Sequence, residues 1–80
     1  MKAIQEEIQV ELRDGWPSSL YWRQQRYFVS TICDTWRFGG RWWLSEPPRD
    51  CFVVQAGGLT AELHHEAREG GRWWLARLQD

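Results

Sequence analysis

Two cysteines, Cys33 and Cys51, and two histidines, His64 and His65, are the side chains of this 80-residue chain best suited to a soft metal ion. A zinc site needs such donors in closely spaced pairs that converge on one point. The cysteine spacing matches no such pattern, and histidines adjacent on a strand point to opposite faces. No metal and no cofactor is therefore expected. The thiols read as small buried residues on two strands, and the histidines as leaning to the surface. Nucleophilic catalysis has no better basis. No hydroxyl has an evident base, and no glycine-rich loop leads into a helix. No catalytic residue is expected, and the chain reads as a non-enzyme.

The pattern with more binding chemistry is aromatic and cationic. Trp22, Arg23, Arg26, Tyr27, Trp36, Arg37, Arg41 and Trp42 interleave within one stretch. Rings of this kind stack on nucleic-acid bases while arginines meet phosphates. The same residue types anchor protein interfaces. The formal net charge is −1, which does not suit a protein held chiefly by a polyanion. The charge is uneven, however. Residues 1–15 balance to −2, residues 16–41 to +3 and residues 42–80 to −2. Most tryptophans in a chain this short belong in its core. The chain has seven, more than so small a core can cover, so one or two are expected at the surface.

The elements that would position these residues read as strands. Residues 5–13 alternate, with Ile8, Val10 and Leu12 opposed to Gln9, Glu11 and Arg13. Asp14-Gly15-Trp16-Pro17 is turn chemistry. A short strand over 18–23 follows, with Leu20 and Trp22 on one face. Gln24-Gln25 connects onward. Neither residue favours positive φ, so a connection longer than two residues is expected there. Residues 26–38 form the longest β-like run and are apolar on both faces, with Phe28, Ile32, Trp36 and Phe38 on one side. A strand of that kind bends, often at a bulge, and serves two layers. Gly39-Gly40 reads as a hairpin turn, with 41–44 pairing back on the end of the long strand. Pro47-Pro48 interrupts any ladder, because neither residue has an N–H. Strands then follow at 51–56, 59–65 and 72–79, the first two joined by Gly57-Gly58.

The expected fold is all-β, one domain over residues 1–80. It is a small closed or partly open barrel, SH3-like in size, of six to seven antiparallel strands. Val10, Leu12, Phe28, Ile32, Val54, Leu63 and Leu75 are its expected core. The hexapeptide Gly-Gly-Arg-Trp-Trp-Leu occurs at 39–44 and again at 70–75. It reads as two similar turn-and-strand units, since the flanking residues do not match. In each copy the successive tryptophans must point to opposite faces, one into the barrel and one out of it.

Taken together, Trp22-Arg23-x-x-Arg26-Tyr27, Trp36, Gly40-Arg41-Trp42-Trp43, Glu46-Pro47-Pro48-Arg49-Asp50-x-Phe52-x-Val54, Arg72-Trp73 and Leu78-x-Asp80 form a recognisable series. It resembles a bacterial family of small domains of unknown function. Members of that family are short free-standing proteins, and similar segments lie at the C-terminal end of Y-family-polymerase-like mutagenesis (translesion synthesis) proteins. The resemblance runs from about Trp22 onward. It implies a neighbourhood, DNA damage tolerance, and supplies no catalytic or binding residues to carry over to this chain.

Two function classes follow. One is a non-catalytic protein–protein module, with a DNA repair or translesion factor as the implied partner. The other is a weak single-stranded nucleic-acid-binding barrel. The candidate patch is Arg37, Arg41 and Trp42, with Trp36, Arg23 and Arg26 beside it. No apolar run is long enough to cross a membrane. No leader is evident at the start, so a soluble, cytoplasmic protein with reduced thiols is expected.

Overall fold

A computed structural model describes residues 2–39 and 47–79. Within them the chain forms six strands and no helix: β1 (Lys2–Arg13), β2 (Trp16–Trp22), β3 (Gln25–Phe38), β4 (Arg49–Ala56), β5 (Leu59–Glu66) and β6 (Trp73–Gln79). Each pairs antiparallel with the next, and β1 pairs with β6, so the sheet closes into a barrel in simple chain order. The expected strand at 41–44, its pairing and the Gly39-Gly40 turn lie outside the described residues. Among those described, the end of β3 pairs with β4, through Arg37 opposite Asp50 and Phe38 opposite Arg49. The β4 strand thus begins two residues earlier than its apolar pattern implies.

Three tight turns set the register. The hairpin loops Asp14-Gly15, Arg23-Gln24 and Gly57-Gly58 are each two residues long, with positive φ at both positions. That is the turn whose twist matches a right-handed pair of strands. Two were legible from their glycines. The third was not: the β2–β3 connection is two residues, not longer, although Arg23 (φ 51°) and Gln24 (φ 64°) both sit where non-glycine residues are rare. Four ladder pairs below the turn, from Trp22–Gln25 to Ser19–Phe28, hold it in that conformation.

The two long strands each serve two ladders. β1 pairs with β6 through Ile8 and with β2 from Gln9 onward. β3 pairs with β2 through Phe28 and with β4 from Val29 onward. Sharing a strand between ladders requires a sharp bend, and bulges supply it. β1 breaks register between Ala3 and Glu6, where Gln5 takes φ 57°. β3 breaks it twice, at Ser30 and again at Cys33.

The core lies where the five-stranded ladder turns its inner face inward. Leu20, Phe52, Val54, Ala56, Ala61, Leu63 and Leu75 form one cluster, with Val10, Ile32 and Trp73 packed half-buried around it. Val54, Leu63 and Leu75 are fully enclosed, as their alternation predicts. Two members of the expected core are not. Phe28 is 64% exposed. Straight counting puts it on the face of Ile32, but the extra residue at Ser30 moves that face to Val29 and leaves Phe28 outside. Leu12 is 49% exposed. It lies past Ile8, opposite which β6 begins at Trp73, so no described strand flanks it on that side.

Candidate functional site

Trp16 is the residue on which the open side of the barrel turns. It opens β2 directly after the Asp14-Gly15 turn and is 49% exposed. Its ring meets the edge of Phe52 at 6.1 Å, and Phe52 in turn packs on Trp73 at 5.7 Å. The indole therefore packs against Phe52 while about half of the residue stays exposed among the described residues.

Beside Trp16 the β2–β3 ladder comes apart. Its last pair is Ser19 with Phe28, although β2 continues back to Trp16 and β3 runs on to Phe38. The ladder stops short of Pro17, which has no N–H to extend it. A register shift between Glu11 and Leu12 keeps this part of β2 on β1 instead. Between the diverging strands lies a hollow of about 690 Å³, with Trp16 and Phe28 among its walls and Arg13 and Arg26 at its rim. A second hollow, of about 450 Å³, runs on past Trp16 along Ile32 to Thr35. A third, of about 380 Å³, is formed by Trp16, Trp36 and Phe52 with Arg37 and Asp50. Trp16 borders all three, so together they make one groove along β3 from Phe28 to Arg37.

The charges along this groove are mixed. Arg13, Arg26 and Arg37 alternate with Asp14, Asp34 and Asp50. Arg26 sits 2.8 Å from a Glu11 carboxylate oxygen and lies over the Phe28 ring at 4.7 Å. Glu11 also accepts the Tyr21 hydroxyl at 2.7 Å, and that bond holds the Tyr21 phenol above its ordinary pKa. Arg37 donates to Asp50 at 2.9 Å. Both ion pairs are solvated, so each contributes at most about 1 kcal/mol.

The candidate residues read from the sequence do not form one patch. Arg26 stands at one end of the groove, and Trp36 and Arg37 at the other. At about 3.3 Å per residue, roughly 35 Å of strand separates Arg26 from Arg37. Arg23 belongs to neither end; its guanidinium lies over Trp22 at 4.5 Å, and the Trp22 indole donates to Glu6 at 2.8 Å. Arg41 and Trp42 lie outside the described residues. Trp16 and Phe28, which wall the groove, were not among the candidates. Trp16 carried one signal, a large ring beside a turn, which is a position rarely covered by a core.

The second Arg-Trp-Trp copy divides as alternation requires. Trp73 faces the core and stacks on His65 at 4.3 Å, while Trp74 faces the other way under Arg72. In the row that Trp74 shares with His64, Cys51 and Trp36, the His64 ring bonds Glu62 at 2.7 Å. Burial, and after it the Glu62 carboxylate, pushes the Cys51 thiol upward in pKa. A thiol so shifted is a weak nucleophile. Among the described residues no three histidine, cysteine or acidic side chains come together as metal ligands, and no helix is long and apolar enough to cross a membrane.

No family model, no curated protein and no solved structure matches this chain.

Proposed function

We propose that the chain is a non-catalytic binding module whose groove along β3, centred on Trp16, docks a segment of another protein. The observation that supports this reading is the half-exposed Trp16 bordering three adjoining hollows. Large rings in partly formed pockets are the usual anchors of protein interfaces. The balance of three arginines with three aspartates along the groove favours a protein over a phosphate chain. A nucleic-acid site would repeat one sign of charge to match a repeating anion. The resemblance of the sequence to segments of translesion proteins is what supports a partner among factors of DNA damage tolerance.

A specific observation favours a second reading, a weak site for single-stranded nucleic acid: Arg26 stacked on the exposed Phe28, a pairing that offers a ring and a cation together. Titration with a single-stranded oligonucleotide at low and at moderate salt separates the two. The protein-binding reading expects no binding at either. Binding that weakens steeply with salt would establish the second reading and overturn the first. On the protein side, ligands selected from a peptide display library should lose affinity for a Trp16→Ala variant that melts within a few degrees of wild type. Ligands indifferent to Trp16 would refute the groove.

A further inference from the structure

Resting on the groove reading above, we infer that the docked segment binds as an extended strand. It adds to the edge of β3 that has no strand partner among the described residues, over 29–35, and places an apolar or aromatic side chain in the hollow between Trp16, Trp36 and Phe52. Beyond Phe28, β3 has register partners only on β4; among the described residues no strand pairs with its other edge. That edge forms one wall of the groove for its whole length. Apart from the Thr35 N–H, which the Asp34 carboxylate accepts at 2.8 Å, a wall of N–H and C=O groups with no strand partner among the described residues is complementary to one kind of occupant, a chain with its own N–H and C=O groups exposed. A helix bonds those groups internally and would leave the edge unmet.

The charges agree with this choice. A mixed row of Arg13, Asp14, Arg26 and Asp34 suits a polypeptide of alternating side chains and gives a polyanion no continuous counterpart. The bulges at Ser30 and Cys33 add selectivity. They bend the edge so that a flat strand cannot lie along it, and only a segment following both bends can pair over more than a few residues. Side-chain specificity falls to the third hollow. Three rings line it, and the Arg37–Asp50 pair stands at its rim, which favours one apolar side chain entering from the strand.

The test uses the full chain and twelve-residue peptides selected on it by display. Each backbone amide of the tightest peptide is methylated in turn, which removes one N–H and leaves the side chains intact. Strand addition expects losses of about ten-fold or more at every second amide and little change between them. Within residues 29–35, the amides that point away from β4 should exchange fast in the free protein and slowly in the complex. Peptides that need Trp16 but tolerate every methylation, with exchange at 29–35 unchanged, would overturn the strand and leave the groove reading standing. Peptides indifferent to Trp16→Ala would remove the groove and the strand together. Protection of those same outward amides without peptide would show the edge to be filled by this chain. Protection that rises with protein concentration would assign it to a second copy. Either result overturns the inference.

Discussion

Single side chains divide this protein into a small rigid centre and an unprotected flank. Leu63 has no exposed surface and touches the one core cluster, so Leu63→Ala should cost about 2–5 kcal/mol. In a domain of this size that lowers the melting temperature by several degrees for each kilocalorie. Phe28→Ala, by contrast, removes a ring that is mostly in water and should leave the melting temperature close to wild type. Thermal melts of the two variants check both statements, and a large loss for Phe28→Ala would place that ring in the core after all. The two thiols should also separate. Cys33 is exposed and Cys51 buried with its pKa raised, so a thiol reagent at neutral pH should modify one cysteine quickly and the other only on unfolding. The sign for stability follows from the same shift. A thiol harder to ionise in the folded state stabilises the fold below its unfolded pKa, and that contribution is lost as pH rises through the folded value. Mass spectrometry after timed alkylation reads the first effect, and melts across alkaline pH the second.

At the level of elements, the turns carry the testable content. The Arg23-Gln24 loop holds two non-glycine residues at positive φ, where Asn-Gly is the favoured pair. Arg23→Asn with Gln24→Gly should therefore stabilise the barrel by about 1 kcal/mol, the scale of relieving such backbone strain. An unchanged or lowered melting temperature would mean that the Arg23 contact with Trp22 outweighs it. The β5–β6 loop works differently. Buried Glu66 accepts from the Arg72 backbone N–H at 3.1 Å and from the Arg68 side chain at 3.0 Å. Gly71 is folded so tightly against the Glu66 carbonyl that a β-carbon there would collide with backbone. Gly71→Ala should destabilise by more than about 1 kcal/mol, more than the loss of a typical single hydrogen bond, because neither neighbour is a side chain that can swing away. Strand positions were legible to within a few residues from alternation and glycine pairs. The Arg23-Gln24 turn was not, because ladder pairs on either side impose its geometry rather than any preference of the two residues.

For the whole molecule, the all-β barrel expects a far-UV circular dichroism spectrum free of helical bands. Its closure rests on the β1–β6 ladder, Lys2–Leu78 to Ile8–Trp73. Joining the two ends of the chain spares the sheet its outermost edges. Among the described residues, the edge along β3 beside Trp16 and the edge of β1 past Ile8 are consequences of how the same barrel closes. Two strands longer than their neighbours must each leave part of one edge beyond the reach of those neighbours.

Local pattern by itself determined the β class, the order of the described strands and the centre of the core. Val54, Leu63 and Leu75 are inward because residues two apart on a strand share a face, and that rule needs no knowledge of neighbours. The groove was beyond its reach. The extra residue at Ser30 moves Phe28 outward, and nothing in the composition of β3 marks which residue the bend will use. Trp16 is half-exposed because β2 and β3 part beyond the Ser19–Phe28 pair, and Leu12 is exposed because β6 reaches along β1 no further than Ile8. Those exposures depend on where other strands stop, a property of the closed barrel that no single segment carries.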